Sequence, residues 1–151
     1  MILSTKSAED VFSFLNRCES HEKFIPRMMD LDQTSPGIFG QAGTTLSGVL
    51  NYCGIRIPVK YEIIQVEPNQ QLAMKGEMGP VLFKDGYVLK QKGDRTEIQF
   101  WLELLPQGWT KIFSPFMGLI ARIHAWETLR NLRQELLKQE IASSSFRSSS
   151  Q

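Results

Sequence analysis

Three side chains of this sequence could transfer protons: Asp85, His124 and Glu127. Asp85 interrupts the apolar face of the segment Val81–Lys92, and a buried carboxylate costs free energy unless it has a partner. Either Asp85 has a functional role, or it lies near a strand end beside Gly86, at a bulge that water or a lysine reaches. His124 has an ordinary pKa near ~6.5, which suits an acid or a base, and the alternative is a packed or surface histidine.

Other catalytic and metal-binding signatures are absent from the sequence. It contains no G-x-S-x-G, H-E-x-x-H or G-K-[ST] motif, so the corresponding hydrolase, zinc and phosphate sites are not expected. The two cysteines, Cys18 and Cys53, form no C-x-x-C pair, which argues against a disulfide framework or a zinc knuckle. We expect no metal, no cofactor and a reducing, cytoplasmic setting.

The charge balance argues against nucleic acid as a partner. The chain of 151 residues has 17 Lys and Arg against 16 Asp and Glu, for a net charge of +1, and no segment collects a run of like charges. Phosphate binding depends on clustered positive charge. The segment Met1–Ser7 is also less apolar than a signal peptide requires. We expect a single domain with an apolar core.

The first elements are predicted to be helical. Ser7 and Asp10 form a capping box before an apolar series, so a helix should run from about Ala8 to Asn16. A second helical turn should end before Pro26, because a proline disfavours helix in the preceding residue. His21 lies in this region and is predicted to be solvated.

Alternation of apolar and polar residues predicts a sheet from Met28 onward. No helical pattern separates one strand from the next, so the connections should be hairpins and the sheet antiparallel. About six strands are expected, and the clearer ones are Ile55–Val66, Val81–Lys92 and Thr96–Leu104, with weaker ones at Thr44–Tyr52 and Leu72–Glu77.

One long helix is predicted to close the domain, from about Lys111 to Ile141, with an interruption at Ser114 and Pro115. Its apolar stripe shifts sides partway along. The domain should therefore span residues 1–141. Residues 142–151 are rich in serine and are predicted to be a disordered tail.

This order of elements resembles the START-like superfamily, also called SRPBCC or polyketide cyclase/dehydrase. The stretches that carry the resemblance are Ala8–Leu15, His21–Pro26, Gly40–Thr44, Glu67–Leu72 and Thr128–Leu132. The resemblance implies an α+β helix-grip (Bet v 1-like) fold, in which a curved antiparallel sheet of six or seven strands wraps around the last helix. It also implies two short N-terminal helices and a first strand within Met1–Lys6. Members of this superfamily hold lipids, polyketides, sterols, quinones or hormones between sheet and helix.

An apolar cavity with a few polar groups is the usual form of a small-molecule site. For each residue that alternation turns inward, plain core packing is the alternative, and Glu127 could simply mark the mouth of the cavity. The candidate ligand-binding residues are Tyr52, Tyr61, Met74, Phe83, Asp85, Tyr87, Phe100, Ile120, Ile123, His124 and Glu127.

Three functions are consistent with these features. The first is binding or transport of a hydrophobic small molecule, such as a lipid, an isoprenoid or a polyketide-like compound. The second is a cyclase or dehydratase that moves protons with Asp85, His124, Glu127 or a tyrosine. The third is an interaction module that assists a respiratory or chaperone partner. The apolar stretch Trp109–Ile123 is predicted to gate the cavity or to contact a membrane or partner, with core packing as the alternative, and the chain is expected to be a monomer or homodimer.

Overall fold

The structure, a computed structural model, describes residues 1–148, with side chains described up to residue 144. An antiparallel sheet of seven strands, in the order β1-β7-β6-β5-β4-β3-β2, forms the body of the described part. Two short helices precede most of the sheet, and a 3₁₀ helix and one long helix follow it. In chain order the elements are β1 (Ile2–Ser4), α1 (Ala8–Leu15), α2 (Cys18–Phe24), β2 (Met28–Gln33), β3 (Thr45–Tyr52), β4 (Ile55–Glu67), β5 (Gln71–Met78), β6 (Val81–Lys92), β7 (Arg95–Pro106), a 3₁₀ helix (Gly108–Phe113) and α3 (Ser114–Ser148).

The predicted capping box begins α1. The Ser7 hydroxyl accepts a hydrogen bond from the backbone N–H of Asp10 at 3.1 Å, which satisfies one of the free amides of the first turn. Val11, Phe14 and Leu15 on this helix are buried in the core. The cap therefore sets where the helix starts, and burial of its apolar face holds it against the sheet.

Each strand from β2 to β7 pairs with the next strand along the chain, as the hairpin prediction required. The pairing of β6 with β7 runs without a shift from Val81 opposite Pro106 to Lys92 opposite Arg95. The first strand is present but short, and it pairs Ile2 with Ile98 of β7. The pairing of β2 with β3 shifts between Met29 and Asp32, which bends that edge of the sheet.

Alternation along β4 separates its two faces as predicted, because successive side chains of a strand point to opposite sides. Val59, Tyr61 and Ile63 are buried, whereas Lys60 is exposed. Ile55, at the start of the strand, is exposed despite sharing the inward parity. It is the first residue of β4 and directly follows the turn at Cys53 and Gly54.

We call residues 114–127 the first half of α3 and residues 128–148 its second half, and the buried leucines of the helix lie in the second half. Leu129, Leu132 and Leu136 are buried against the sheet, and the Asn131 side-chain amide donates to the Phe24 carbonyl at the end of α2. In the first half the large apolar side chains are exposed instead, and they are Phe116, Leu119, Ile120, Ile123 and Trp126. The shift of the apolar stripe therefore separates a packed half of α3 from one with little tertiary packing.

The end of α3 lies later than expected, at Ser148 rather than at Ile141. The domain boundary after residue 141 and the disorder of residues 142–151 stay predictions, and residues 149–151 lie outside the described part of the chain. Among the described residues, no helix is both long enough and apolar enough to cross a bilayer.

If the second half of α3 is the anchor, shortening a side chain there should cost much more stability than shortening one in the first half. Leu132→Ala should lower the free energy of unfolding by roughly 2–5 kcal/mol, because Leu132 is completely buried. Ile123→Ala, the matched control in the first half, should change it by less than about 0.5 kcal/mol, since Ile123 is 51% exposed. Urea denaturation of both variants measures the difference, and equal losses would contradict one-ended anchoring.

Candidate functional site

A cavity of about 70 Å³ lies between the concave face of the sheet and the first half of α3. Its walls are mainly apolar, with four side chains that carry polar groups, on β3, β4, β6 and α3. The lining residues are Ile25, Met28, Leu50, Tyr52, Val59, Tyr61, Met74, Met78, Phe83, Asp85, Leu102, Leu104, Ile120 and His124.

The structure brings most of the predicted site residues together around this cavity. Tyr52, Tyr61, Met74, Phe83, Asp85, Ile120 and His124 all line it. Four predicted residues lie elsewhere. Tyr87 and Phe100 pack on each other in the core with ring centroids 4.8 Å apart, Ile123 is exposed, and Glu127 binds Arg27. That the lining residues bind a ligand stays a prediction.

Sequence reasoning missed part of the lining. Alternation along β7 places Leu102 and Leu104 on the inward face, but alternation alone does not show which inward residues reach the cavity. Ile25 and Met28 flank the connection between α2 and β2, where no periodic pattern indicates direction. Only the packing of α2 against β2 turns these two side chains toward α3.

Asp85 is a half-buried acid within an apolar wall. It lies in the interior of β6, opposite Met74 on one side and Leu102 on the other. Its Oδ1 is buried and has no hydrogen-bond partner among the described residues. Burial raises the pKa of Asp85 to about 7, from 3.8. The strand-end bulge is wrong as an alternative, because the β6 register is continuous on both sides of Asp85. No lysine of the described part forms an ion pair with Asp85, and access of water to it stays a prediction.

The prediction that His21 is solvated is also wrong. His21 is completely buried, and burial lowers its pKa to about 4, so its imidazole is neutral near pH 7. Its Nε2 lies 2.7 Å from the Leu15 carbonyl oxygen, and its Nδ1 lies 2.9 Å from the Tyr61 hydroxyl. A carbonyl oxygen can only accept, so Nε2 has the proton and Nδ1 accepts from Tyr61. This bond fixes the orientation of a side chain that lines the cavity.

An ion pair lies beside the cavity at the α3 side. Arg27 donates to both carboxylate oxygens of Glu127, at 2.7 and 3.2 Å, and its guanidinium carbon lies 5.0 Å from the ring centroid of Tyr52. The Arg27 hydrogen bond is the main reason that the pKa of Glu127 is lowered. The pair is partly exposed, so its contribution to stability is small. Its geometric effect is to join the segment before β2 to α3 near His124.

A cavity of this kind can enclose an apolar molecule and place the carboxyl group of Asp85 against it. A carboxyl group that titrates near neutral pH can exist in either protonation state at physiological pH, and each state forms a different hydrogen bond. Among the described residues, no group of three or more His, Cys, Asp or Glu side chains could hold a metal ion.

Removing the carboxylate should change how stability depends on pH. Between pH 3.8 and about 7 the folded chain keeps the Asp85 proton that the unfolded chain loses, so wild-type stability falls as the pH rises through this window. The Asp85→Asn variant has no carboxyl group at this position, so its stability should not fall in this way as the pH rises. Relative to wild type, its free energy of unfolding should therefore increase by about 3 kcal/mol between pH 5 and pH 8.

Chemical denaturation at both pH values measures this difference. Asp94→Asn is the matched control, because Asp94 is exposed in the turn between β6 and β7 and should show the wild-type pH dependence. An Asp85→Asn curve parallel to wild type would contradict a buried, neutral-range carboxyl group.

Comparison with known proteins identifies the fold. The chain superposes on TTHA0849 from Thermus thermophilus with a TM-score of 0.75 and 13% identity, over 91% of this chain and 94% of that one. For the Zhui aromatase/cyclase from Streptomyces sp. R1128 the TM-score is 0.76 at 9% identity, over 91% of both chains. For Ara h 8.0201 it is 0.69 at 11% identity, over 91% and 94%.

No protein-family model and no curated protein sequence matches the chain. At identities this low the structural likeness shows the fold alone. The chain has the helix-grip fold, in the Bet v 1-like and START-like form, which confirms the fold that the sequence predicted.

Proposed function

We propose that this helix-grip chain binds or transports a hydrophobic small molecule in the cavity between the sheet and the first half of α3. The observation that supports the proposal is an apolar cavity with a few inward polar groups, the usual form of a small-molecule site. Two proteins with similar structures have names that describe aromatase/cyclases, although a shared fold does not determine function. Burial of ligand surface, at about 25 cal/mol per Å², supplies affinity without a reactive group.

The cavity volume constrains how a ligand enters. At about 70 Å³ the cavity is smaller than the roughly 300–1,000 Å³ typical of sites for drug-sized ligands. A lipid-sized ligand therefore requires one wall to move outward. The first half of α3 is the wall that can move at the lowest cost, because its large apolar side chains are already exposed. We propose that this half opens while the second half stays packed.

Native mass spectrometry of the recombinant chain tests the binding proposal. A copurified small molecule of defined mass should remain bound to the wild type. Leu102→Trp, which adds bulk to a cavity-lining position, should reduce the bound fraction at least fivefold, because the ring occupies space that the ligand needs.

Leu82→Trp is the matched control, since Leu82 is 41% exposed on the same hairpin and does not line this cavity. It should keep the wild-type bound fraction. A wild-type chain that is always empty, or a ligand retained equally by both variants, would contradict the proposal.

The exposed apolar side chains of the 3₁₀ helix and of the first half of α3 support a second element of the proposal, contact with a membrane surface. Their exposed fractions range from 46% to 77%, and they are Trp109, Ile112, Phe113, Phe116, Leu119, Ile120, Ile123 and Trp126. Residues 104–126 contain Lys111 and Arg122 but no Asp or Glu. Aromatic and aliphatic groups with basic neighbours suit the headgroup region of anionic lipids. A ligand could then pass from the bilayer to the cavity without crossing water.

Sedimentation with lipid vesicles tests this contact. The wild type should bind phosphatidylglycerol-containing vesicles more strongly than pure phosphatidylcholine vesicles, and Arg122→Gln should weaken the anionic binding about fivefold, the equivalent of ~1 kcal/mol per basic residue. Phe116→Ser should weaken binding to both vesicle types. Ile38→Ser is the control, because Ile38 is equally exposed but lies in the loop before β3. No sedimentation, or equal loss in all three variants, would contradict membrane contact.

A further inference from the structure

Three polar side chains line the cavity from the sheet, and two of them, Tyr61 and Asp85, offer acceptors. The neutral His21 ring donates from Nε2 to the Leu15 carbonyl oxygen, so its Nδ1 can only accept. The Tyr61 hydroxyl therefore donates its hydrogen to Nδ1, at 2.9 Å. The Tyr61 oxygen can therefore form a further hydrogen bond only as an acceptor. A group that approaches this oxygen from the cavity must bring a hydrogen.

Asp85 is the second acceptor in its ionised state, which predominates above its pKa of about 7. Its Oδ1 is buried in the apolar wall and has no partner among the described residues. Asp85 and Tyr61 line the same cavity, and the pKa of the Tyr61 phenol is raised by burial and, to a smaller extent, by the charge of Asp85. No hydrogen bond joins the two side chains in the described part of the chain. A buried carboxyl oxygen without a partner carries a large desolvation cost, so the site is complete only when a donor reaches it.

The other polar groups of the cavity lie toward α3. Tyr52 lies under the Arg27 guanidinium, and His124 is on α3 itself. The remaining walls around Asp85, on β5 and β7, are Met74 and Leu102, which cannot donate. Most of the cavity lining is therefore apolar, and its two acceptors, Tyr61 and Asp85, lie on the sheet side.

We propose that the ligand carries a hydrogen-bond donor, a hydroxyl or a protonated amine, which binds between Asp85 and Tyr61 while its apolar body lies under α3. This inference rests on the proposed binding function and names the chemistry of the ligand. A molecule of the same shape without a donor would leave Asp85 desolvated and unpaired. Such unpaired polar groups are what allow a site to reject an analogue that lacks a hydroxyl or amine.

Three naphthalene probes of similar shape test the inference: naphthol, which has a neutral donor, its methyl ether, which has none, and naphthylmethylamine, which has a cationic donor. Calorimetric titration at pH 8 should give at least about tenfold tighter binding of one or both donors than of the ether. In Asp85→Leu this preference should fall below about threefold. Asp94→Asn should keep the wild-type preference, since Asp94 lies in an exposed turn.

The outcomes separate this inference from the function on which it rests. Equal binding of all three probes to the wild type would overturn the donor requirement while leaving cavity binding intact. Binding of none would overturn both. A preference that survives in Asp85→Leu and in Asp85→Asn would also overturn the inference, because the donor would then be recognised elsewhere.

A pH series distinguishes the two donor types. Tyr61 on β4 and Tyr87 on β6 stay neutral between pH 6 and pH 8, because burial raises both phenol pKa values well above 10, and burial lowers the pKa of His124 on α3. The pKa of Asp85, about 7, lies inside this window. If the ligand is cationic, naphthylmethylamine should bind up to about tenfold tighter at pH 8 than at pH 6 and tighter than naphthol. If it is a neutral hydroxyl compound, naphthol should be preferred at both pH values.

Discussion

The packing of the second half of α3 is the interaction on which the rest of the site depends. Three buried leucines, Leu129, Leu132 and Leu136, fix this half against the sheet and α2, and each such side chain contributes about 1.5–3 kcal/mol through burial. Because these leucines all follow residue 127, the first half of α3 extends over the sheet without filling the space below it. The cavity is the space that remains. Its existence thus follows from where the apolar stripe of the helix changes sides.

Within that space, fold stability and the proposed ligand recognition have opposite requirements. A leucine in place of Asp85 would suit the apolar wall formed by Met74 and Leu102, whereas a carboxyl group there lowers the stability of the empty chain at neutral pH. Local conflict of this kind concentrates at functional sites in natural proteins. The Tyr61 and His21 pair shows the opposite design, since every hydrogen-bonding group of that imidazole has a partner.

The sequence was sufficient to predict the architecture, because its signals are periodic and local. Two-residue alternation determines the inward face of β4, β6 and β7, and the capping residue Ser7 determines the start of α1. The same alternation singled out Asp85. What the sequence could not show are contacts between distant positions. His21 and Tyr61 are 40 residues apart, and Arg27 and Glu127 are 100 apart, so their pairing depends on tertiary packing that no local pattern reports.

The edges of the sheet affect how copies of this chain could associate. A long, flat edge strand offers unpaired backbone groups to a neighbouring molecule and favours aggregation. Here the edge strand β2 is interrupted by the shift between Met29 and Asp32, with Asp30 and Asp32 exposed. At the other edge β1 has only three residues and leaves residues 99–106 of β7 without a second neighbouring strand in the described part of the chain. Growth of a continuous intermolecular sheet is therefore disfavoured at the β2 edge. A homodimer built on that edge would have to form through side chains rather than through an added strand.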